Sequence, residues 1–269
     1  MAVDDIYTVS LLHMNGADGS TSITDESGKT WTLNGNAQLD TAKKKFGTAS
    51  LYFDGSGDYA VSSTHDDFDY GAADWTWNLQ FATNRTTRMD VMVNDVTWPN
   101  SAGLTLILNY SGQGSIAFYE FSTNKISTTT DQGFTDNNFH HLELARGSDI
   151  FYLFLDGSLI GSSTASQSNG GGYPTVLGIN ENLSSYPYLG WIDEVRISKG
   201  IARHTSTFEP PTAEYGAEEE QVIISGVGIS ASGMIYMSLL EKYEKIFGRK
   251  YKKKKGLIQP DLLPEIIPI

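Results

Sequence analysis

From Tyr7 to about Tyr215 the chain is cut every 8–12 residues by turn residues, and no helical period of any length appears before Gly216. That rhythm restricts the fold to short strands joined by tight turns. Trp75-Thr76-Trp77-Asn78-Leu79-Gln80-Phe81 alternates apolar and polar residues without a fault. It predicts a strand with four large side chains facing a core. Tyr7–Met14, Trp31–Leu39, Ala49–Phe53, Met89–Val93, Leu104–Tyr110, Ser115–Ser122, Phe139–Gly147, Ile150–Leu155 and Thr175–Ile179 read as further strands. Asp54-Gly55, Gly112-Gln113-Gly114 and Asp156-Gly157 supply turns, since glycine and Asx residues accept the backbone angles that tight turns need. Tyr188–Ser198 also alternates: Trp191, Asp193, Val195 and Ile197 are expected on one face, and Ile192, Glu194, Arg196 and Ser198 on the other. The expected fold is all-β, a sandwich of two antiparallel sheets.

The chain has no cysteine, which excludes disulfides and thiolate metal sites. Residues 1–215 carry 11 Lys and Arg against 25 Asp and Glu, whereas residues 216–269 carry 8 against 7. An acidic β module disfavours nucleic acid as a partner. The start, Met1-Ala2-Val3-Asp4-Asp5-Ile6, has neither the basic nor the apolar region of a secretory signal. Assembly into a virus particle, with release by lysis, is one route out of a cell that needs no such signal.

Six segments, in order, carry a resemblance. They are His13-Met14-Asn15-Gly16-Ala17-Asp18-Gly19-Ser20, Lys45–Tyr59, Phe139–Leu144, Leu155-Asp156-Gly157, Ile192–Arg203 and Phe208-Glu209-Pro210-Pro211. Together they resemble the concanavalin A-like lectin/glucanase jelly roll, in the laminin-G-like branch common in bacteriophage structural and tail proteins. The likeness spans about residues 7–215 and implies a jelly-roll sandwich. It also implies sugar binding or adhesion, with glycoside hydrolysis in a distant branch. Hydrolysis needs two carboxylates flanking one bond, and the Glu-x-Asp-x-Glu run of the related glucanases is missing. Asp193 and Glu194 are neighbours, expected on opposite faces of a strand. No catalytic residue is assigned, and the chain reads as a non-enzyme. His140 and His141 are expected to face opposite ways, which argues against joint metal ligation.

Many members of the resembled family hold one calcium at the sandwich edge, so calcium is a candidate cofactor. By that analogy its ligands would be Asp25 and Asp193, with Asp18 as a third, although Asn15 stands where relatives often have Asp. Sugars are gripped by aromatic faces and a few fixed polar groups. The loop aromatics Trp98, Tyr173, Tyr186 and Tyr188 are the candidates, with Tyr186-Pro187-Tyr188 the best cluster.

Residues 216–269 form a second region. Gln221–Leu240 carries no charge but holds three glycines and four serines, an apolar content too low to favour a membrane span. It opens on a β-like segment, Val222–Ser230. Ser232 is a fitting N-cap for an amphipathic helix running to Phe247, with Gly248 as its stop and with Tyr236, Leu239, Leu240, Tyr243, Ile246 and Phe247 on one stripe. A lone helix of that length is marginal in water and needs a partner. A basic run containing Lys252, Lys253, Lys254 and Lys255 and a proline-containing arm follow. The run fits an acidic protein surface, with nucleic acid or anionic lipid as alternatives. The region reads as an attachment device, in which Tyr236, Leu240, Tyr243, Phe247 and the lysines contact capsid or tail proteins or sister subunits of a homo-oligomer. The leading expectation is a non-enzymatic phage virion protein displaying a jelly roll toward host-surface glycans. The alternative is a purely structural or decorating subunit, with a glycoside hydrolase third.

Overall fold

The structure, a computed structural model, describes residues 5–94, 103–165 and 172–216, with two short strands at 227–228 and 265–266. The chain divides into two compact units, Met1–Glu218 and Glu219–Ile269. The first unit holds β1 (Thr8–Leu12), β2 (Trp31–Asn34), β3 (Gln38–Asp40), β4 (Ser50–Asp54), β5 (Tyr59–Ser62), β6 (Trp75–Ala82), β7 (Met89–Asn94), β8 (Leu104–Leu108), β9 (Ile116–Glu120), β10 (Thr123–Ser127), β11 (His140–Gly147), β12 (Ile150–Leu155), β13 (Ser158–Thr164), β14 (Thr175–Leu177) and β15 (Leu189–Lys199). One sheet runs β13-β12-β11-β6-β15-β4-β3 with β1 also on β15, and the other runs β10-β9-β8-β7-β14-β5-β2. This is the all-β sandwich of two antiparallel sheets that the strand pattern predicts, and the jelly roll that the resemblance implies. In the second unit, β16 (Val227–Gly228) pairs with β17 (Glu265–Ile266). The expected helix and basic run, with Tyr236, Leu240, Tyr243, Phe247 and Lys252–Lys255, lie outside the described residues. No helix among the described residues is long and apolar enough to cross a membrane.

The core lies between the sheets. Trp75, Trp77, Leu79 and Phe81 of β6 all enter it, as their alternation requires, and meet Leu142, Leu144, Phe151 and Leu153 from one sheet and Leu106, Leu108 and Phe118 from the other. Trp77 is fully buried, yet its indole N–H reaches the Tyr70 hydroxyl at 2.9 Å, so the burial leaves no donor stranded. Asp156 and Gly157, with φ of 47° and 74°, turn β12 into β13, the backbone that Asp-Gly favours. The Asp54-Gly55 turn does something else. It joins β4 in one sheet to β5 in the other, so it carries the chain across the sandwich.

β15 departs from the expected alternation. A β-bulge lies between Asp193 and Arg196 in its pairing with β6. Ile192, Val195 and Ile197 all enter the core, so Asp193 and Glu194 both lie on the outer face. The bulge falls where the partner on the other side of β15 changes, from β4 on Leu189–Ile192 to β1 on Val195–Ser198. One extra residue there resets the parity of the strand, and Glu194 takes the left-handed φ of 47°.

Candidate functional site

The outer face of the β11-β6-β15 sheet is polar but buried. The chain after β15 folds back over it, and Thr76 fixes that return through its hydroxyl on the Ile201 carbonyl. Glu143 of β11 accepts from Asn78 Nδ2 of β6 at 2.5 Å and bonds His204 Nδ1 at 2.9 Å. Arg196 of β15 lies 3.7 Å from the Tyr215 ring centre. Glu194 accepts the Tyr215 backbone N–H at 3.0 Å and bonds His13 Nδ1 at 2.8 Å. Burial works against the charge on His13, but the facing Glu194 carboxylate outweighs it and raises the imidazole pKa. His141 bonds the Tyr215 hydroxyl through Nε2, and burial, aided by Arg196 and His204, pushes it down to about 3. His140 turns the other way and is held between Asp136 and Asp156. The two neighbouring imidazoles thus serve separate networks.

Asp193 accepts the backbone N–H groups of Lys45 and Phe46 on one oxygen and that of Glu194 on the other. Burial nevertheless pushes its carboxyl up to about 7. The expectation that Asp193 and Glu194 face apart is corrected by the bulge. Both are fully buried, however, so neither can flank a glycosidic bond. The three carboxylates expected around calcium are not brought together. Asp25 is satisfied by Ser10, Leu11, Ser27 and Trp31, and Asp18 by Thr41. A different set, His13, Glu194 and Glu214, places three donor atoms within 4.8 Å of one another. In the structure Glu194 is bonded to His13 and Tyr215, and Glu214 accepts from Asn15.

The aromatics expected to hold a sugar are scattered. Trp98 lies outside the described residues. Tyr173 is partly buried beside Asn94, at the far end of β7 from Asp90. Tyr188 is corrected to a core residue: it is fully buried and its hydroxyl donates to the Ala82 carbonyl. Tyr186 is 42 % exposed, and it is the one that gathers partners.

Three loops on the seven-stranded sheet build that gathering. Arg88, just before β7, forms two parallel hydrogen bonds with Asp90, Nε to Oδ1 at 3.0 Å and Nη2 to Oδ2 at 3.2 Å. Its guanidinium lies 3.7 Å from the Tyr186 ring centre and 5.5 Å from that of Tyr110. Tyr110 in turn meets Tyr119 of β9 at 5.4 Å, with their hydroxyls bonded to each other. Asp90 is fully buried, and burial pushes its carboxyl up to about 6 against the pull of Arg88.

The loops are themselves held in place. Asn109 donates from Nδ2 to the Arg85 and Thr87 carbonyls and accepts the Gly114 N–H, tying the Tyr110 loop to the Arg88 loop. Arg85 reaches the Pro187 carbonyl, and Asp90 N–H donates to the Tyr186 carbonyl. Leu183 packs the 180–187 loop onto Val93, Val176 and Ile179. Tyr186 itself has φ 54°, an unusual conformation for a bulky residue, and that turn separates its exposed ring from buried Tyr188. Arg88, Tyr110 and Tyr119 went unpredicted. The available signal was Arg88-x-Asp90, an opposite-charge pair two residues apart and hence on one side of a strand.

Residues 53–204 match the sequence profile described as the concanavalin A-like lectin/glucanases superfamily, of laminin G type. The chain belongs to this superfamily. No curated protein matches it by sequence. Among solved structures, this concanavalin A-like chain is similar to a botulinum neurotoxin serotype D binding domain, at 16 % identity and TM-score 0.54, covering 73 % of this chain and 49 % of that one. It is similar at the same identity and TM-score to the serotype D ligand binding domain in complex with N-acetylneuraminic acid, over 73 % and 48 %. The binding domain of botulinum neurotoxin DC in complex with rat synaptotagmin II matches at 12 % identity and TM-score 0.54, over 74 % and 50 %. The chain spans about half the length of these domains. At such identities the likeness is one of fold.

Proposed function

We propose that the protein is a non-enzymatic bacteriophage virion subunit whose jelly roll binds host-surface glycans and whose residues 216–269 attach it to capsid or tail proteins, or to copies of itself. The observation that carries the binding reading is the exposed Tyr186 and Tyr110 pair around Arg88. Aromatic faces beside a fixed hydrogen-bonding group are what a sugar ring requires. The likeness of fold to a ligand binding domain supports the same reading, and the burial of the acidic pair on β15 supports its non-enzymatic part. The virion setting rests on the resemblance of the segments from His13 to Pro211.

A glycan array with the full chain, run in calcium and again in EDTA, tests the reading. Specific binding in either condition is expected, and loss in EDTA would make calcium a working cofactor. Absence of binding in both would refute glycan recognition in favour of a purely structural subunit. Removing residues 216–269 should leave a folded sandwich that no longer enters particles.

A further inference from the structure

The Arg88 surface combines three costs that stability alone does not explain. Asp90 is a charged group with no exposed surface, and a buried ion pair is commonly no more stabilising than apolar residues of the same size. Tyr186 holds a left-handed backbone at φ 54°, which for a bulky side chain stores strain. Tyr186 and Tyr110 nevertheless keep 42 % and 36 % of their surface in solvent. All three features converge on one guanidinium. Its Nε and Nη2 are fixed by Asp90, and its Nη1 forms no hydrogen bond among the described residues. Arginine carries five N–H donors in a rigid plane, so this fork is set in place with donors left over. A donor held before the ligand arrives loses little entropy on binding.

Charge decides what those donors suit. The Asp90 carboxylate, bonded edge to edge, already balances the Arg88 charge. Glu181 adds a further negative influence on Asp90, and the chain as a whole carries −13. Arg85, the other cation of these loops, is turned onto the Thr87 hydroxyl and the Gly55 and Pro187 carbonyls, so an anionic ligand at Arg88 would meet a compensated cation on an acidic chain. We propose, resting on the glycan-binding reading above, that the Arg88, Tyr110 and Tyr186 surface takes a neutral sugar residue bearing adjacent hydroxyl groups. The hydroxyl oxygens accept from the unengaged N–H groups of Arg88, and the apolar C–H face of the ring lies against exposed tyrosine. Asp90 is the positioning residue that holds the fork.

The experiment compares neutral, carboxylated and sulfated glycans on the full chain near neutral pH, in low and high salt. The expected result is binding of neutral glycans that is insensitive to salt, because no net charge is neutralised. Arg88→Lys keeps the charge but loses the fork, and should weaken binding at least about tenfold, as loss of a hydrogen bond to a charged group does. Tyr186→Ala and Tyr110→Ala, both exposed, should also weaken it while thermal melts show intact folding. If no glycan binds, the glycan reading and this inference fall together. If only acidic glycans bind, and salt weakens them, the glycan reading stands and the inference is overturned. The inference also fails if neutral glycans bind but folded Arg88→Lys, Tyr186→Ala and Tyr110→Ala proteins bind them as tightly as wild type.

Discussion

Asn109 offers a sharp test of how the Arg88 surface is built. Its side chain is 3 % exposed and makes three hydrogen bonds: to the Arg85 carbonyl at 2.8 Å, to the Thr87 carbonyl at 3.3 Å, and from the Gly114 N–H at 2.6 Å. Its backbone φ is 55°, which asparagine tolerates better than most residues. Asn109→Gly keeps that backbone allowed and removes the amide. At about 1 kcal/mol net for each bond, somewhat more where a buried partner is stranded, it should cost about 3 kcal/mol. Asn109→Ala loses the same bonds and adds about 1 kcal/mol of left-handed strain, so it should be the worse variant. Urea unfolding of the two proteins beside wild type measures both steps. Because the amide ties the loop bearing Tyr110 to the loop bearing Arg88, glycan affinity should fall in the folded fraction of each variant. A glycine variant within about 0.5 kcal/mol of wild type would show that the amide does not hold these loops and that the Arg88 fork is not fixed by them.

Gly190 of β15 has φ 136°, and a Cβ there would run into the Ala82 carbonyl of β6; Gly190→Ala should therefore destabilise the sandwich by on the order of 3 kcal/mol, read as a lowered urea midpoint. Stability should also depend on pH with a definite sign. Asp193 and Asp90 are raised by burial to about 7 and about 6. Each therefore contributes stability that is fully present below the unfolded carboxyl value and lost as pH rises through its folded value, at up to about 1.4 kcal/mol per pH unit. His141, lowered to about 3 by burial, acts oppositely: its contribution is present above the ordinary imidazole value and lost as pH falls toward 3. Asp193→Asn removes the contribution of that carboxyl, so the stability gap between wild type and variant should widen by about 2.5 kcal/mol in favour of wild type on going from about pH 8 to about pH 5. A gap that stays constant across that range would refute the raised carboxyl.

What could be read before the structure was local. The alternation of Trp75 to Phe81 depends only on the strand period, and all four large side chains enter the core. Asp156-Gly157 turns where predicted because its backbone preference belongs to those two residues. The bulge at Asp193 and Glu194 could not be read in the same way. It depends on β15 exchanging β4 for β1 along one edge, and such an exchange leaves no mark on the composition of β15. The site follows the same division. Arg88 and Asp90 are close in sequence and their pairing was available to inspection. Tyr110 and Tyr186 come from loops brought in by Asn109 and Arg85, and nothing within either loop announces the other. Tyr186 and Tyr188 look alike as a pair, yet one left-handed residue sends the first to solvent and lets the second enter the core.

The bulge also bears on attachment. By placing Asp193 and Glu194 on one face, it gives Glu194 to both chain ends of the sandwich: His13 from the entry and the Tyr215 amide from the exit. Arg196, two residues on, lies over the Tyr215 ring, and His141 holds its hydroxyl. The last described segment before Glu218 is therefore fastened to β15 and β11, which lie inside their sheet. A subunit tethered through residues 216–269, as proposed here, would pass a pull at that tether into paired interior strands. An edge strand lacks one neighbour and separates more readily. Within the acidic pair the roles divide: Asp193 anchors the Lys45–Phe46 turn, and Glu194 fastens the exit of the sandwich to its entry.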